Sequence, residues 1–125
     1  MENLEINSQI TFLKTGNLEE THHFYQDTLG FPLALDQGSC RIYKVLENGF
    51  IGFCLKKETS KGDSDIIFTI VTSEVDAWYK RLSGLGVEFT KRPQQNQRYQ
   101  IYHCFFRDPN GYLIEIQSFL DPRWK

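Results

Sequence analysis

Apolar residues alternate with polar ones over Gln9-Ile-Thr-Phe-Leu-Lys14, the period of a half-buried strand. The pattern then changes. Asn17-Leu-Glu-Glu20 places a helix N-cap residue three positions before a glutamate, the arrangement of a capping box. Leu18, Tyr25 and Leu29 follow at helical spacing, and Gly30 supplies a stop. The same succession returns later in the chain. Asp65-Ile-Ile-Phe-Thr-Ile70 reads as a strand, and Ser73-Glu-Val-Asp76 opens a helix with Val75, Trp78, Tyr79, Leu82 and Leu85 on one face before Gly86. Both helices run thirteen residues from cap to glycine, and one offset of 56 aligns both strand–helix pairs.

After each helix come three strand-like runs. Phe31–Asp36, Cys40–Leu46 and Phe50–Lys56 follow the first; Val87–Thr90, Tyr99–Arg107 and Tyr112–Phe119 follow the second. Asn-Gly sits between strands in both Glu47-Asn-Gly-Phe50 and Pro109-Asn-Gly-Tyr112, a strong hairpin signal. Lys91-Arg-Pro-Gln-Gln-Asn-Gln-Arg98 reads as a polar loop with no counterpart in the first half. The order is β-α-β-β-β twice, module one over about 5–58 and module two over about 64–120, within a single domain of residues 1–125. Each unit leaves one sheet face covered by its helix and one free. The predicted fold is therefore α+β, two paired βαβββ modules whose mixed sheets curl around a central cavity.

Composition narrows the function. With 14 Lys+Arg against 16 Asp+Glu the net charge is −2, and no basic run is long enough to follow a phosphate backbone. Nucleic acid is thus not an expected partner. The longest apolar run, Asp65–Val71, is far too short to span a membrane, and Met1-Glu-Asn-Leu-Glu5 does not read as a signal peptide. Cys40, Cys54 and Cys104 form no CxxC pair and read as reduced thiols, which points to the cytoplasm. The 18 aromatic residues mean either a thick core or a ring-lined cavity.

Three segments resemble the vicinal-oxygen-chelate superfamily, also called the glyoxalase/bleomycin-resistance/extradiol-dioxygenase family. They are Asn17 to Phe31 with its Phe-Tyr and Leu-Gly-Phe, Ser73 to Val87, and Phe106-Arg-Asp-Pro-Asn-Gly-Tyr-Leu-Ile-Glu-Ile116. The resemblance implies the paired-module fold, a small-molecule ligand and a homodimer. It does not choose among lyases, isomerases, dioxygenases, thiol transferases and proteins that only sequester drugs.

Metal-using members take ligands from the first and last strand of each half, typically His, Gln or Glu, then Glu, His and Glu. Carried over by position, these sites fall on Ile10, Phe53, Ile66 and Glu115. Three of the four have no lone pair to offer, so no metal or other cofactor is expected. A register one residue off would substitute Gln9, Cys54 and Asp65 beside Glu115. His22 and His23, adjacent on a helix, point about 100° apart and do not chelate one ion.

Glu115 stands out. Ile114 and Ile116 are expected to pack under the helix, which turns Glu115 into the hollow as a general base or a polar anchor. The bland alternative is an ancestral carboxylate satisfied by Tyr102, Arg98, Arg107 or water. Ile10, Phe12, Phe53, Ile66 and Phe68 are read as the cavity face, with Tyr43, Tyr99 and Tyr102 at its rim. His103 is either a ligand contact on a strand near the hollow or a partly exposed strand histidine. The leading expectation is a metal-free small-molecule-binding protein. The alternatives are an enzyme, metal-dependent or using Glu115 as base, and an interaction module with a filled hollow.

Overall fold

The computed structural model describes residues 4–56 and 66–124, and the chain divides into two compact units, 1–60 and 61–125. Each unit is a four-stranded sheet with one helical segment against it, so the α+β class and the doubled order hold.

Unit one contains β1 (Gln9–Thr15), α1 (Leu18–His22), a π-helical continuation (His23–Thr28), β2 (Leu33–Asp36), β3 (Cys40–Leu46) and β4 (Gly49–Leu55). The Asn17 side chain accepts from the Glu20 N–H at 3.0 Å, as the capping motif requires. The strand order is β1-β4-β3-β2, with β1 parallel to β4. Tyr25 in the helical segment lies 4.6 Å from Phe53 and 6.2 Å from Tyr43 between ring centroids, and all three are buried. Thr15 and Thr21 share a hydrogen bond of 2.8 Å between β1 and α1. These contacts define the helix-covered face as Leu13, Thr15, Tyr43, Ile51 and Phe53. On the opposite face Phe12 lies across Gly52. A Cβ on Gly52 would come within 2.6 Å of the Phe12 ring, so glycine is what allows that close approach.

Unit two contains β5 (Ile67–Val71), α2 (Val75–Gly84), β6 (Phe89–Asn96), β7 (Ile101–Arg107) and β8 (Leu113–Phe119), in the order β5-β8-β7-β6. Helix α2 starts one residue later than expected. Glu74, not Ser73, is its N-cap, and its side chain makes no capping bond; the Glu74 N–H instead donates to Thr72 Oγ1 at 3.0 Å. Gly86 stops the chain with φ +92°, a conformation glycine adopts without steric cost.

The polar stretch read as a loop is strand β6, which pairs antiparallel with β7. It is an edge strand, exposed over most of its length, so no buried face imposes alternation on it. Its register shifts twice, between Phe89 and Lys91 and between Lys91 and Gln94, and Pro93 lies in the interval where an edge tolerates it. β2 and β7 are shorter than expected, and Phe31 ahead of β2 belongs to the core.

The two Asn-Gly hairpins are not equivalent. Leu46 pairs with Gly49 across a two-residue turn, whereas Arg107 pairs with Leu113 across five residues. Asp108 organises that longer loop, its Oδ1 accepting from the N–H groups of Asn110 at 2.9 Å and Tyr112 at 2.8 Å. Gly49 is thus already in its strand while Gly111 is still in the loop. Each residue of β8 falls one position later relative to Asn-Gly than its counterpart in β4. Matched by the face each helix covers, with α2 beginning one residue late, Glu115 answers to Gly52, and Phe53 answers to Ile116.

The cysteines also differ from expectation. Antiparallel pairing sets Cys40 opposite Cys54, and their sulfurs are bonded. A cross-strand pair fourteen residues apart carries no spacing signature, which is why the sequence read them as separate thiols. Cys104 remains free and buried on β7. Burial, with the charges of Asp76 and Glu115 adding to it, pushes its thiol up to about 11, so it is an inert packing group. Among the described residues no helix is long and apolar enough to cross a membrane.

Candidate functional site

The chemistry of unit two lies on the sheet face turned away from α2. The helix-covered face is fixed by Tyr79 against Phe89 (4.7 Å), Phe89 against Phe106 (5.2 Å) and the Tyr102 hydroxyl donating to Asp76. Phe106 pairs with Ile114, and Ile114 with Phe68, so Phe68 shares that covered face. Alternation sends Thr69, His103, Phe105, Glu115, Gln117 and Phe119 to the other side.

Three of these side chains form one connected group. Thr69 Oγ1 donates to Glu115 Oε1 at 2.9 Å, and His103 Nδ1 lies 2.6 Å from Glu115 Oε2. Parallel pairing of β5 with β8 sets Thr69 directly beside Glu115. His103 reaches Glu115 diagonally from β7, whose residue opposite Glu115 is Phe105. Glu115 is 8% exposed and His103 7%, so the pair is buried and hydrogen-bonded inside one sheet. The Phe105 ring stands edge-on to His103 at 4.9 Å, and Lys91 Nζ lies 5.9 Å from the centre of the Phe105 ring.

Thus Glu115 and His103 come together, and Glu115 faces away from the helix as its flanking isoleucines require. Its partners were misjudged: they are Thr69 and His103, not Tyr102, Arg98 or Arg107. Tyr102 is on the covered face, where the bond to Asp76 raises its phenol above the ordinary value. Phe53 is fully buried under the helix of unit one, as Tyr43 is. Phe68 shares the covered face of β5, and Ile66 lies just ahead of that strand, 46% exposed, whereas Ile10 and Phe12 do lie on the face of β1 away from its helix, 39% and 49% exposed. Thr69 was missed because its place beside Glu115 depends on the β5–β8 register.

A model of the Glyoxalase/Bleomycin resistance protein/Dioxygenase superfamily matches residues 9–116. The chain belongs to that superfamily. Among curated relatives of this glyoxalase-superfamily chain is the metallothiol transferase FosB of Shouchella clausii, 35% identical over 117 residues, covering 89% of this chain and 78% of that protein. Another is the uncharacterized protein YraH of Bacillus subtilis, 24% identical over 122 residues, covering 86% of this chain and 94% of that protein. A glyoxalase/bleomycin resistance protein/dioxygenase from Nocardioides shares the fold with TM-score 0.80 at 19% identity, covering 98% of this chain and 88% of its own. An integron cassette protein from the mobile metagenome of the Halifax Harbour sewage outfall gives TM-score 0.77 at 26% identity, covering 90% and 97%.

The superfamily's divalent ion can be tested against the side chains present. Among the described residues no three His, Cys, Asp or Glu side chains come together to hold a metal. Ile10 and Ile66 carry no donor atom, Phe53 is in the core, and Gly52, which answers to Glu115, has no side chain at all. In the shifted set, Cys54 is bonded to Cys40 and the Gln9 side chain donates to Thr11 Oγ1 at 2.6 Å; Asp65 lies outside the described residues. The described residues do not fit the ion.

Proposed function

We propose that this chain binds a small organic molecule on the face of the β5-β8-β7-β6 sheet turned away from α2. Glu115 organises the polar group of that site, and no divalent metal takes part. The observation that carries this reading is the state of Glu115. It is 8% exposed, and each of its oxygens already has a partner within its own sheet. In metal-using relatives a carboxylate at this position is a ligand; here it is the hub of a hydrogen-bonded group flanked by Phe105. Buried polar groups held in fixed geometry beside aromatic surface are what a small-molecule site uses for orientation and for burial. Among the residues singled out by sequence, the reading keeps Glu115 and His103; Ile10 and Phe12 lie on unit one's own sheet, on the face away from its helix. Phe53, Phe68 and Tyr102 leave it because they face the helices, and Ile66 leaves it because it lies ahead of β5, outside the sheet. Its setting is a homodimer, with no nucleic acid as partner; the bonded Cys40 and Cys54 remove the ground for expecting the cytoplasm.

One observation favours a second reading, a metal-dependent thiol transferase: the 35% identity with a protein of that name. Thermal unfolding across a small-molecule library in the presence of EDTA separates the two. The first reading predicts compounds that raise the melting temperature by several degrees with chelator present, since ligand at about 100 times Kd adds about 2.7 kcal/mol. The shift should vanish in Glu115→Ala. Stabilisation seen only after a divalent ion is restored would favour the transferase.

A further inference from the structure

The Thr69–Glu115–His103 group also defines what a ligand has to present. Thr69 donates its hydroxyl proton to Oε1, so Glu115 acts there as an acceptor. A carboxylate partner at 2.6 Å favours the tautomer that carries its hydrogen on His103 Nδ1. A neutral imidazole with its hydrogen on Nδ1 has its lone pair on Nε2. Carboxylate partnership fixes both the tautomer and the ring orientation, so this lone pair is held in one direction.

Among the described residues Nε2 has no hydrogen-bond partner, and it is not one of the sealed polar atoms left without one; that condition is met only by Arg41 Nε. An aimed acceptor that is neither paired nor sealed is available to an incoming donor. Its surroundings are flat and apolar. Phe105 stands edge-on to the imidazole at 4.9 Å. Further along the same face, Phe119 is stacked on Trp124 with centroids 4.0 Å apart and planes 18° from parallel. Lys91, over the Phe105 ring, brings one positive charge to this face.

Building on the binding reading above, we infer that His103 Nε2 accepts the hydroxyl hydrogen of a planar ligand, and that the ligand class is the phenols and ring enols. The ring is buried against Phe105, and the acidic O–H donates to Nε2. Glu115 supports the positive character the imidazole gains, and Lys91 supports the negative character the oxygen gains. Alkyl alcohols lack both the flat face and the acidity. Thr69 and Glu115 act through His103 and are positioning residues.

Calorimetric titration with p-cresol and p-methylanisole tests this, because both are uncharged at neutral pH, share a ring and differ in the donor hydrogen. The expected result is binding of the phenol about tenfold tighter than the ether, the scale of one hydrogen bond. In His103→Phe the difference should disappear while the weaker ether affinity persists. Equal binding of both compounds by the unmodified protein would overturn this inference and leave the binding reading standing. Binding of neither would overturn this inference, and the library screen in the presence of EDTA then decides the binding reading by itself. If His103→Phe does not fold, the nitrogen resonances of His103 in the unmodified protein decide the matter. Nε2 should shift with phenol and not with anisole, and an unmoved Nε2 contradicts the assignment.

Discussion

Phe53→Ala is expected to cost about 3–5 kcal/mol of folding stability and to lower the urea midpoint accordingly. The ring is fully buried, 4.6 Å from Tyr25 and 6.5 Å from Tyr43 between centroids, so its removal leaves a cavity at the joint between helix and sheet. Tyr43 is part of that joint. Its hydroxyl is 2.9 Å from His22 Nδ1, and burial raises its phenol above the ordinary value. Phe12→Ala makes the control. That ring is 49% exposed on the other face, and its loss should cost no more than about 1 kcal/mol. The pair of variants separates core from binding surface by stability alone. A Phe53→Ala protein of nearly unchanged stability would put Phe53 back on a binding face.

The second large effect concerns the buried acid–imidazole pair. Glu115→Ala removes the acceptor for two donors at once and leaves His103 and Thr69 unsatisfied inside the sheet, at a cost of about 2–3 kcal/mol. Combined with His103→Phe, it should cost less than the sum of the two single changes, because the second change removes the group the first had stranded. A coupling of about 1 kcal/mol or more in a double-mutant cycle read by urea unfolding is expected. Costs that add to within about 0.5 kcal/mol would show that the two side chains do not depend on each other.

Much of the fold was legible because its signals are local. The Asn17 cap and the glycines at 30 and 86 need only a few neighbouring residues to act, and the repeat that they punctuate exposed the doubled module. Glu115 was legible for the same reason: buried Ile114 and Ile116 on either side leave it one direction to face. What escaped was set by pairing between distant strands. Phe53 was placed opposite Glu115 in the repeat because Asn-Gly occurs in both hairpins. Only the strand pairing shows one loop closing over two residues and the other over five. That single shift moved Phe53 from a binding face to the core and set Gly52 in its place. The Cys40–Cys54 bond and the Thr69 contact were hidden in the same way, each depending on a register no short spacing records. Strand β6 was hidden by exposure, since an edge with no buried face shows no period of two.

The central claim is that Glu115 is committed to Thr69 and His103 where metal-using relatives commit a carboxylate to an ion. Equilibrium dialysis of the purified protein against zinc, manganese and magnesium in turn, followed by elemental analysis, tests it most directly. The account predicts far less than one ion bound per chain for each metal, unchanged in Glu115→Ala. One ion per chain that disappears in Glu115→Ala would contradict it.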